Sequence, residues 1–95
     1  MDFEWDDQKA AINLKKHGVR FTGAVSIWLD PNSIEIHDEN HSEDEERWVR
    51  LGFSKKLRIL VVVFAEKVEG ETIRIISARK TDKGEQQTYT KRLKL

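Results

Sequence analysis

The stretch LRILVVVFAE, residues 57 to 66, decides the fold because it contains the longest uninterrupted apolar run of the chain, Ile59 to Ala65. This run of seven residues has the length of a buried strand and is too short for a membrane helix. Its three consecutive valines favour a central position, in which a strand is covered on both faces. We therefore predict a strand over residues 57–66 in the middle of a sheet.

The segments around this strand also have the pattern of strands. RWVRLGFS, residues 47–54, and TIRIISAR, residues 72–79, are rich in β-branched and aromatic side chains. Residues 34–38 alternate between isoleucine and polar side chains, which indicates a further short strand. The turns predicted at residues 55–56 and 69–71 are short, so consecutive strands are expected to pair antiparallel.

Helices are predicted before and after the strands. Residues 6–16 have a plausible N-cap in Asp6, lysines in the last turn and a stop signal in Gly18. Residues 82–93 form the last helix, and its first turn has the spacing of a capping box. A second helix is predicted over residues 21–29 from one apolar stripe: Phe21, Val25, Trp28 and Leu29.

Together these elements predict a single α+β domain over residues 1–95. Its core is a curved, four-stranded antiparallel sheet with two N-terminal helices and one C-terminal helix packed on one face. The prediction leaves room for a short extra strand at the N-terminus. The tryptophans are expected in the core, because each lies in the apolar pattern of its element.

The distribution of charge is strongly asymmetric although the net charge is zero. Residues 30–46 carry eight acids and no Lys or Arg, whereas residues 47–95 carry thirteen bases and five acids. A basic half of this size favours a polyanion or an acidic protein as partner. The alternative is that the acidic segment covers the basic half, and we also expect this segment to limit non-specific polyanion binding or to anchor basic residues of a protein partner.

The composition excludes several classes of chemistry. The chain has no cysteine, so disulfides, thiolate nucleophiles and thiolate metal sites are absent. The N-terminal residues MDFEWDDQK have neither an apolar stretch nor a basic region, so we expect no signal or transit peptide and a cytoplasmic location. No glycine-rich phosphate loop and no HExxH motif occurs.

Three histidines are the first candidates for site residues. His37 and His41 flank two acids and could bind a metal, but a spacing of four converges only on a helix and this segment is predicted as strand and loop. We therefore expect no metal and no cofactor. His17 ends the first helix, where its charged form is stabilised by the helix dipole, and it could equally serve as a general acid or base.

The basic residues of the strands are the second group of candidates. On an antiparallel sheet, side chains of neighbouring strands with the same facing lie close together. The structural interpretation is a solvated face with ion pairs to Glu45 or Glu85, and the functional one is a phosphate clamp. Tyr89 is expected either in the core or stacked on a nucleic-acid base. The clamp candidates are Arg47, Arg58, Arg74, Arg79 and Lys80.

The sequence resembles the BrnT family of type II toxin–antitoxin toxins, which are RelE-like ribonucleases. The resemblance runs from Phe3 to Tyr89 in several separate blocks. Its carriers are FEWDDQKAAINLKKHGVRF (3–21), Asp30-Pro31, HSEDEERWVRLGFS (41–54), RILVVVF (58–64), IRIISARK (73–80), and Glu85 with Tyr89. The resemblance implies a RelE-like toxin fold and cleavage of RNA that arrests translation. It also implies a BrnA-like antitoxin as partner, whose DNA-binding domain contacts operator DNA.

Several site residues follow from the resemblance. In the expected metal-independent mechanism, the RNA 2′-hydroxyl attacks the adjacent phosphate and leaves a 2′,3′-cyclic phosphate. Arg58 and Arg79 would clamp the phosphate, His17 or Glu45 would act as base, and Tyr89 would stack or assist. Residues expected to bind RNA are Lys16, His41, Arg47, Arg74 and Lys80. The alternative is a non-catalytic module whose basic face binds nucleic acid or only the antitoxin.

Overall fold

The computed structural model of the protein describes residues 1–39, 45–67 and 70–93. Its elements are the strands β1 (Asp2–Glu4), β2 (Ile34–His37), β3 (Arg47–Phe53), β4 (Ile59–Lys67) and β5 (Thr72–Lys80), and the helices α1 (Asp7–His17), α2 (Phe21–Ala24), which continues as a 3₁₀ turn (Val25–Leu29), and α3 (Lys83–Leu93). No helix among these residues combines the length and the apolar content needed to span a membrane.

The strands form one sheet in the order β1-β5-β4-β3-β2. The predicted central position of β4 is confirmed, because β3 and β5 both pair with it in antiparallel register. The prediction of four antiparallel strands is incomplete: β1 adds a fifth strand, and it runs parallel to β5, with Asp2 opposite Thr72. With three residues, of which only Phe3 is a large apolar one, β1 has too short a pattern to reveal its direction.

The main core lies between β4 and the N-terminal helices. Leu60, Val62 and Phe64 alternate along β4 toward this side and are fully buried. They pack against a cluster that includes Phe21 and Ile27. Alternate residues of a strand point to the same face, so this pattern defines the helix side of the sheet.

The predicted ends of α1 are confirmed. Oδ1 of Asp6 accepts hydrogen bonds from the backbone N–H groups of Gln8 and Lys9, at 2.8 and 3.2 Å. Gly18 ends the helix with φ of 70°, a left-handed conformation that glycine adopts without steric cost. Local capping chemistry therefore fixes where this helix starts and stops.

The second predicted helix forms, but its apolar stripe differs from the prediction. Leu29 is 74% exposed, whereas Ile27, which was outside the stripe, is 0% exposed. The reason is the change to a 3₁₀ turn after Ala24, because three residues per turn shift the phase of the buried face. Trp28 packs as predicted, with its ring 4.9 Å from that of Phe64.

The prediction that all helices pack on one face is wrong, because α3 covers part of the opposite face. Arg79 alternates with the core residue Ala78 along β5, so its side chain leaves the sheet on the side away from α1. There it binds Glu85 of α3. The predicted capping box at the start of α3 is present, since Asp82 and Glu85 each accept a backbone hydrogen bond from the other, at 2.8 and 2.9 Å.

Candidate functional site

The face of the sheet opposite α1 and α2, which we call the open face, carries two arginines on either side of a small residue. Arg47 of β3 is paired with Ala65 of β4, and Ala65 is paired with Arg74 of β5. Directly opposed residues share a facing, so both arginine side chains rise from the open face. Their strands are two ladder spacings apart, roughly 10 Å, which leaves room for an anion between two guanidinium groups.

Glu45 supplies a carboxylate next to these arginines. Its Oε2 accepts a hydrogen bond from Nη2 of Arg74 at 2.8 Å. The buried Nε of Arg74 has no acceptor among the residues that the structure describes. The site therefore combines a carboxylate, which can accept a proton, with guanidinium groups, which can bind phosphate oxygens in two-pronged fashion.

A second ion pair lies further along the open face. Arg79 is opposite Val61 of β4, four residues from Ala65 and thus about 13 Å along the strand. Its two terminal nitrogens donate to the two carboxylate oxygens of Glu85, each at 2.8 Å. The hydrogen bonds from Arg79 outweigh partial burial and lower the pKa of Glu85, and the same bonds raise the pKa of Arg79.

Arg58 lies on the other side of the sheet from Arg79. It lines a cavity of about 280 Å³ together with Leu60 and with residues of α1 and α2. The two arginines are at the same end of the sheet, as predicted, but the expected common clamp is not formed. The cause is strand alternation: Arg79 faces α3, whereas Arg58 shares its cavity with Leu60 on the helix side.

His17 and Lys16 are placed together, but on the helix side. Both line a shallow cavity of about 200 Å³ with Ile76 and Ser77 of β5. Lys80 is exposed at the end of β5 and is paired with Leu60, so it also faces the helix side. His41 lies outside the described residues.

Tyr89 is 2% exposed, so its ring is not available to stack on an RNA base, and core packing is the interpretation that the structure supports. Its hydroxyl donates a hydrogen bond to Oδ2 of Asp30. Burial and the neighbouring carboxylate raise the pKa of Tyr89 to about 12. This phenol is therefore a poor proton donor or acceptor for a reaction near neutral pH.

His37 takes part in contacts with neighbouring side chains. Its Nε2 bonds to Oε2 of Glu46, and its ring packs 4.7 Å from that of Trp48. Within residues 1–39, 45–67 and 70–93, no group of three or more His, Cys, Asp or Glu side chains is arranged to hold a metal ion.

Sequence reasoning missed three features of this architecture. Asp30 was recognised only within the Asp30-Pro31 pair of the resemblance, although it is the partner of Tyr89. Asn13 was passed over as a helix residue, although it is buried and bonds to β5. The lysine pair of the β3–β4 turn was assigned only as a hairpin tip, although it lines a cavity. A polar residue inside the apolar pattern of α1 is the one signal that could have revealed Asn13.

Comparison with known proteins identifies the class of protein that has this fold. The chain aligns over 87% of its length with the crystal structure of the Brucella abortus ribonuclease toxin BrnT, covering 99% of that chain, with 25% sequence identity and a TM-score of 0.67. No curated protein matches the sequence significantly. The fold is thus that of a ribonuclease toxin of the α+β class.

The family follows from the sequence itself. Residues 5–85 match the family model described as "Ribonuclease toxin, BrnT, of type II toxin-antitoxin system". The protein belongs to the BrnT family of type II toxin–antitoxin ribonuclease toxins, as its sequence blocks predicted.

Proposed function

We propose that this protein is an endoribonuclease that arrests translation by cleaving RNA at the open face, without a metal ion, and that a BrnA-like antitoxin neutralises it. The observation that carries the proposal is the hydrogen bond of 2.8 Å between Glu45 and Arg74, next to the facing position of Arg47. It puts a base and two phosphate-binding groups within one small area. The antitoxin would in turn link the complex to operator DNA.

The chemistry needs only these groups and the RNA itself. The carboxylate of Glu45 takes the proton from a ribose 2′-hydroxyl, and the 2′-oxygen forms a bond to the adjacent phosphorus. Arg47 and Arg74 stabilise the additional negative charge on the phosphate oxygens. The bond from phosphorus to the 5′-oxygen breaks, water donates the proton that this oxygen needs, and a 2′,3′-cyclic phosphate and a 5′-hydroxyl are left.

The role of Arg79 is proposed from its place on the same face. At about 13 Å from the Ala65 position, it would bind a neighbouring phosphate of the same strand, with Glu85 holding its guanidinium in place. His17 was the other candidate base. It lies on the helix side with Ile76 and Ser77, so Glu45 is the better candidate.

The test is cleavage of end-labelled RNA by the purified protein, with the cyclic phosphate identified in the product. Glu45→Gln keeps the size of the side chain and removes the base, so we expect a rate loss of about 10²-fold or more. Glu71→Gln, at an exposed turn, is the matched control and should cleave like the unchanged protein. Equal activity of Glu45→Gln and the control would remove Glu45 from the mechanism.

The ion pairs also favour a second candidate function. The guanidinium groups of Arg74 and Arg79 are already bound by carboxylates, which suits a face that only binds nucleic acid or the antitoxin. The same assay separates the two functions. RNA binding without any cleavage, by an unchanged and folded protein, would support the binding module.

A further inference from the structure

A cavity on the helix side of the sheet concentrates positive charge. Four basic side chains line its volume of about 280 Å³. Arg20 comes from the segment before α2, Lys55 and Lys56 from the β3–β4 turn, and Arg58 from the position just before β4. No acidic side chain lines the cavity, and within the described part of the chain none pairs with any of the four.

The cavity also has hydroxyl groups and an apolar wall. The hydroxyl-bearing residues Thr22, Ser26 and Ser54 lie along its lining, and Leu14 and Leu60 contribute its apolar part. Ser26 is held in place, because its hydroxyl donates to the backbone oxygen of Gly23 at 2.6 Å and accepts from the backbone N–H of Lys55 at 2.9 Å. Such a combination of a few placed polar groups on an apolar floor is typical of ligand sites.

Arg58, like Arg74 on the open face, has a buried donor without a partner in the described part of the chain. Its Nε is buried and has no hydrogen-bond acceptor among the described residues. A buried donor without an acceptor costs free energy, and like charges gathered without a counter-ion repel each other. An anion in the cavity relieves both costs, and a guanidinium group matches phosphate oxygens in geometry.

We propose that this basic cavity binds a phosphate group of the RNA strand, on the side of the sheet opposite the open face. The proposal rests on the proposed ribonuclease function, which supplies RNA as the ligand. Arg58 is three residues before Val61, whose ladder partner is Arg79. The cavity therefore begins about 10 Å from the level of Arg79, in the direction of the β3–β4 turn. RNA that leaves the open face at Arg79 passes over the β3–β4 turn and places a phosphate at Lys55, Lys56 and Arg58.

The test measures binding without cleavage. Single-stranded RNA with 2′-O-methyl groups cannot cyclise, and its affinity is measured by fluorescence anisotropy over a range of salt concentrations. For the double variant Lys55→Gln/Lys56→Gln we expect about tenfold weaker binding near 0.1 M salt, and a salt dependence lower by about 0.7 in the log–log slope, which corresponds to one phosphate that is no longer neutralised on a single strand. Arg58→Gln should weaken binding in the same direction.

A matched control separates the cavity from general electrostatics. Lys9→Gln/Lys83→Gln removes two exposed lysines of α1 and α3 and should leave the affinity within about twofold. Thermal melts confirm that every variant is folded. Titration with inorganic phosphate, followed by the amide signals of Ser26, Ser54 and Lys55, should shift these signals if the cavity accepts a free anion as well.

Three outcomes would overturn the proposal. Equal losses in the cavity variant and in the Lys9/Lys83 control would show that only net charge matters. Unchanged RNA affinity with weaker antitoxin binding in the cavity variant would assign the cavity to the protein partner. If the unchanged protein binds no RNA at all, the proposed function fails as well, and this result is distinct from RNA binding that ignores the cavity.

Discussion

The hydroxyl of Tyr89 in α3 donates a hydrogen bond to Oδ2 of Asp30, a residue that lies 59 positions earlier in the chain. The same oxygen accepts the backbone N–H of Phe53 at 2.9 Å, and Oδ1 accepts that of Asn32 at 2.9 Å. Burial alone would raise the pKa of Asp30, but these hydrogen bonds and the charge of Arg50 outweigh it and lower that pKa. One carboxylate thus ties the last helix to the end of β3.

Removing the Tyr89 hydroxyl should therefore destabilise the fold. For Tyr89→Phe we expect a loss of about 1–2 kcal/mol in the free energy of unfolding, because one charged hydrogen bond is lost while Asp30 keeps its backbone donors. Tyr89→Ala also removes the buried ring and should lose about 3–5 kcal/mol. Urea unfolding measures both. No loss in Tyr89→Phe beside a full loss in Tyr89→Ala would mean that the ring alone matters.

The raised pKa of Tyr89 makes stability depend on alkaline pH. The folded value is about 12, above the value of roughly 10 for an unfolded tyrosine. A group with a raised pKa contributes stability below its unfolded pKa and loses it as the pH rises toward the folded one. The unchanged protein should thus lose more stability than Tyr89→Phe between about pH 10 and 12. Parallel curves for the two proteins in urea titrations would contradict the raised value.

Asn13 should be essential to the attachment of α1. Its side-chain amide donates to the backbone oxygens of Val19 and Ala78, at 3.0 and 2.8 Å, and its oxygen accepts from the N–H of Ala78 at 3.1 Å. Asn13→Ala leaves three buried backbone groups without a partner and should lose about 2–4 kcal/mol. The control is Ile12→Ala at the neighbouring position, 64% exposed, which should change stability by less than about 0.5 kcal/mol. A small effect of Asn13→Ala in chemical denaturation would show that water replaces the amide.

The Arg79–Glu85 pair gives a prediction about activity. Arg79→Ala should weaken RNA binding and so reduce cleavage at low RNA concentration by about tenfold, because it removes a contact to a phosphate beside the one that reacts. Arg79→Lys should also lose most activity, since an ammonium group cannot reproduce two parallel hydrogen bonds. Glu85→Gln releases the guanidinium from a negative partner, so RNA binding should become tighter. If Arg79→Ala cleaves at the normal rate, Arg79 has no part in the reaction and its bond to Glu85 is structural.

Chelation should not affect cleavage, because the proposed reaction uses the 2′-hydroxyl of RNA as nucleophile and arginines as charge stabilisers. Activity in EDTA should equal that in buffer. His37→Ala should retain activity too, since His37 contacts Glu46 and Trp48. Loss of cleavage in EDTA that zinc or manganese restores would replace the proposed mechanism with a metal-dependent one.

Local chemistry made much of this fold predictable. Asp6 and Gly18 fix the two ends of α1 through contacts with their own neighbours in the chain. The consecutive valines of β4 indicate a strand that is buried on both faces. The face of the sheet on which the Arg58 side chain lies was harder to predict. Arg58 lies before β4 starts, and a turn separates it from the alternating pattern of β3. The partner of Tyr89 could not be predicted, since nothing local links Tyr89 to Asp30.

The parallel strand β1 has a consequence for the stage of synthesis at which the protein can fold. Its residues pair with Thr72 to Arg74. Asn13 forms hydrogen bonds with Ala78, and Asp30 accepts one from Tyr89. These three attachments of the first third of the chain thus need the last quarter, which the ribosome synthesises last. Long-range contacts of this kind slow folding, and a growing chain that has not reached β5 lacks both arginines of that strand. The proposed cleavage site is therefore completed only when synthesis of the chain is nearly finished.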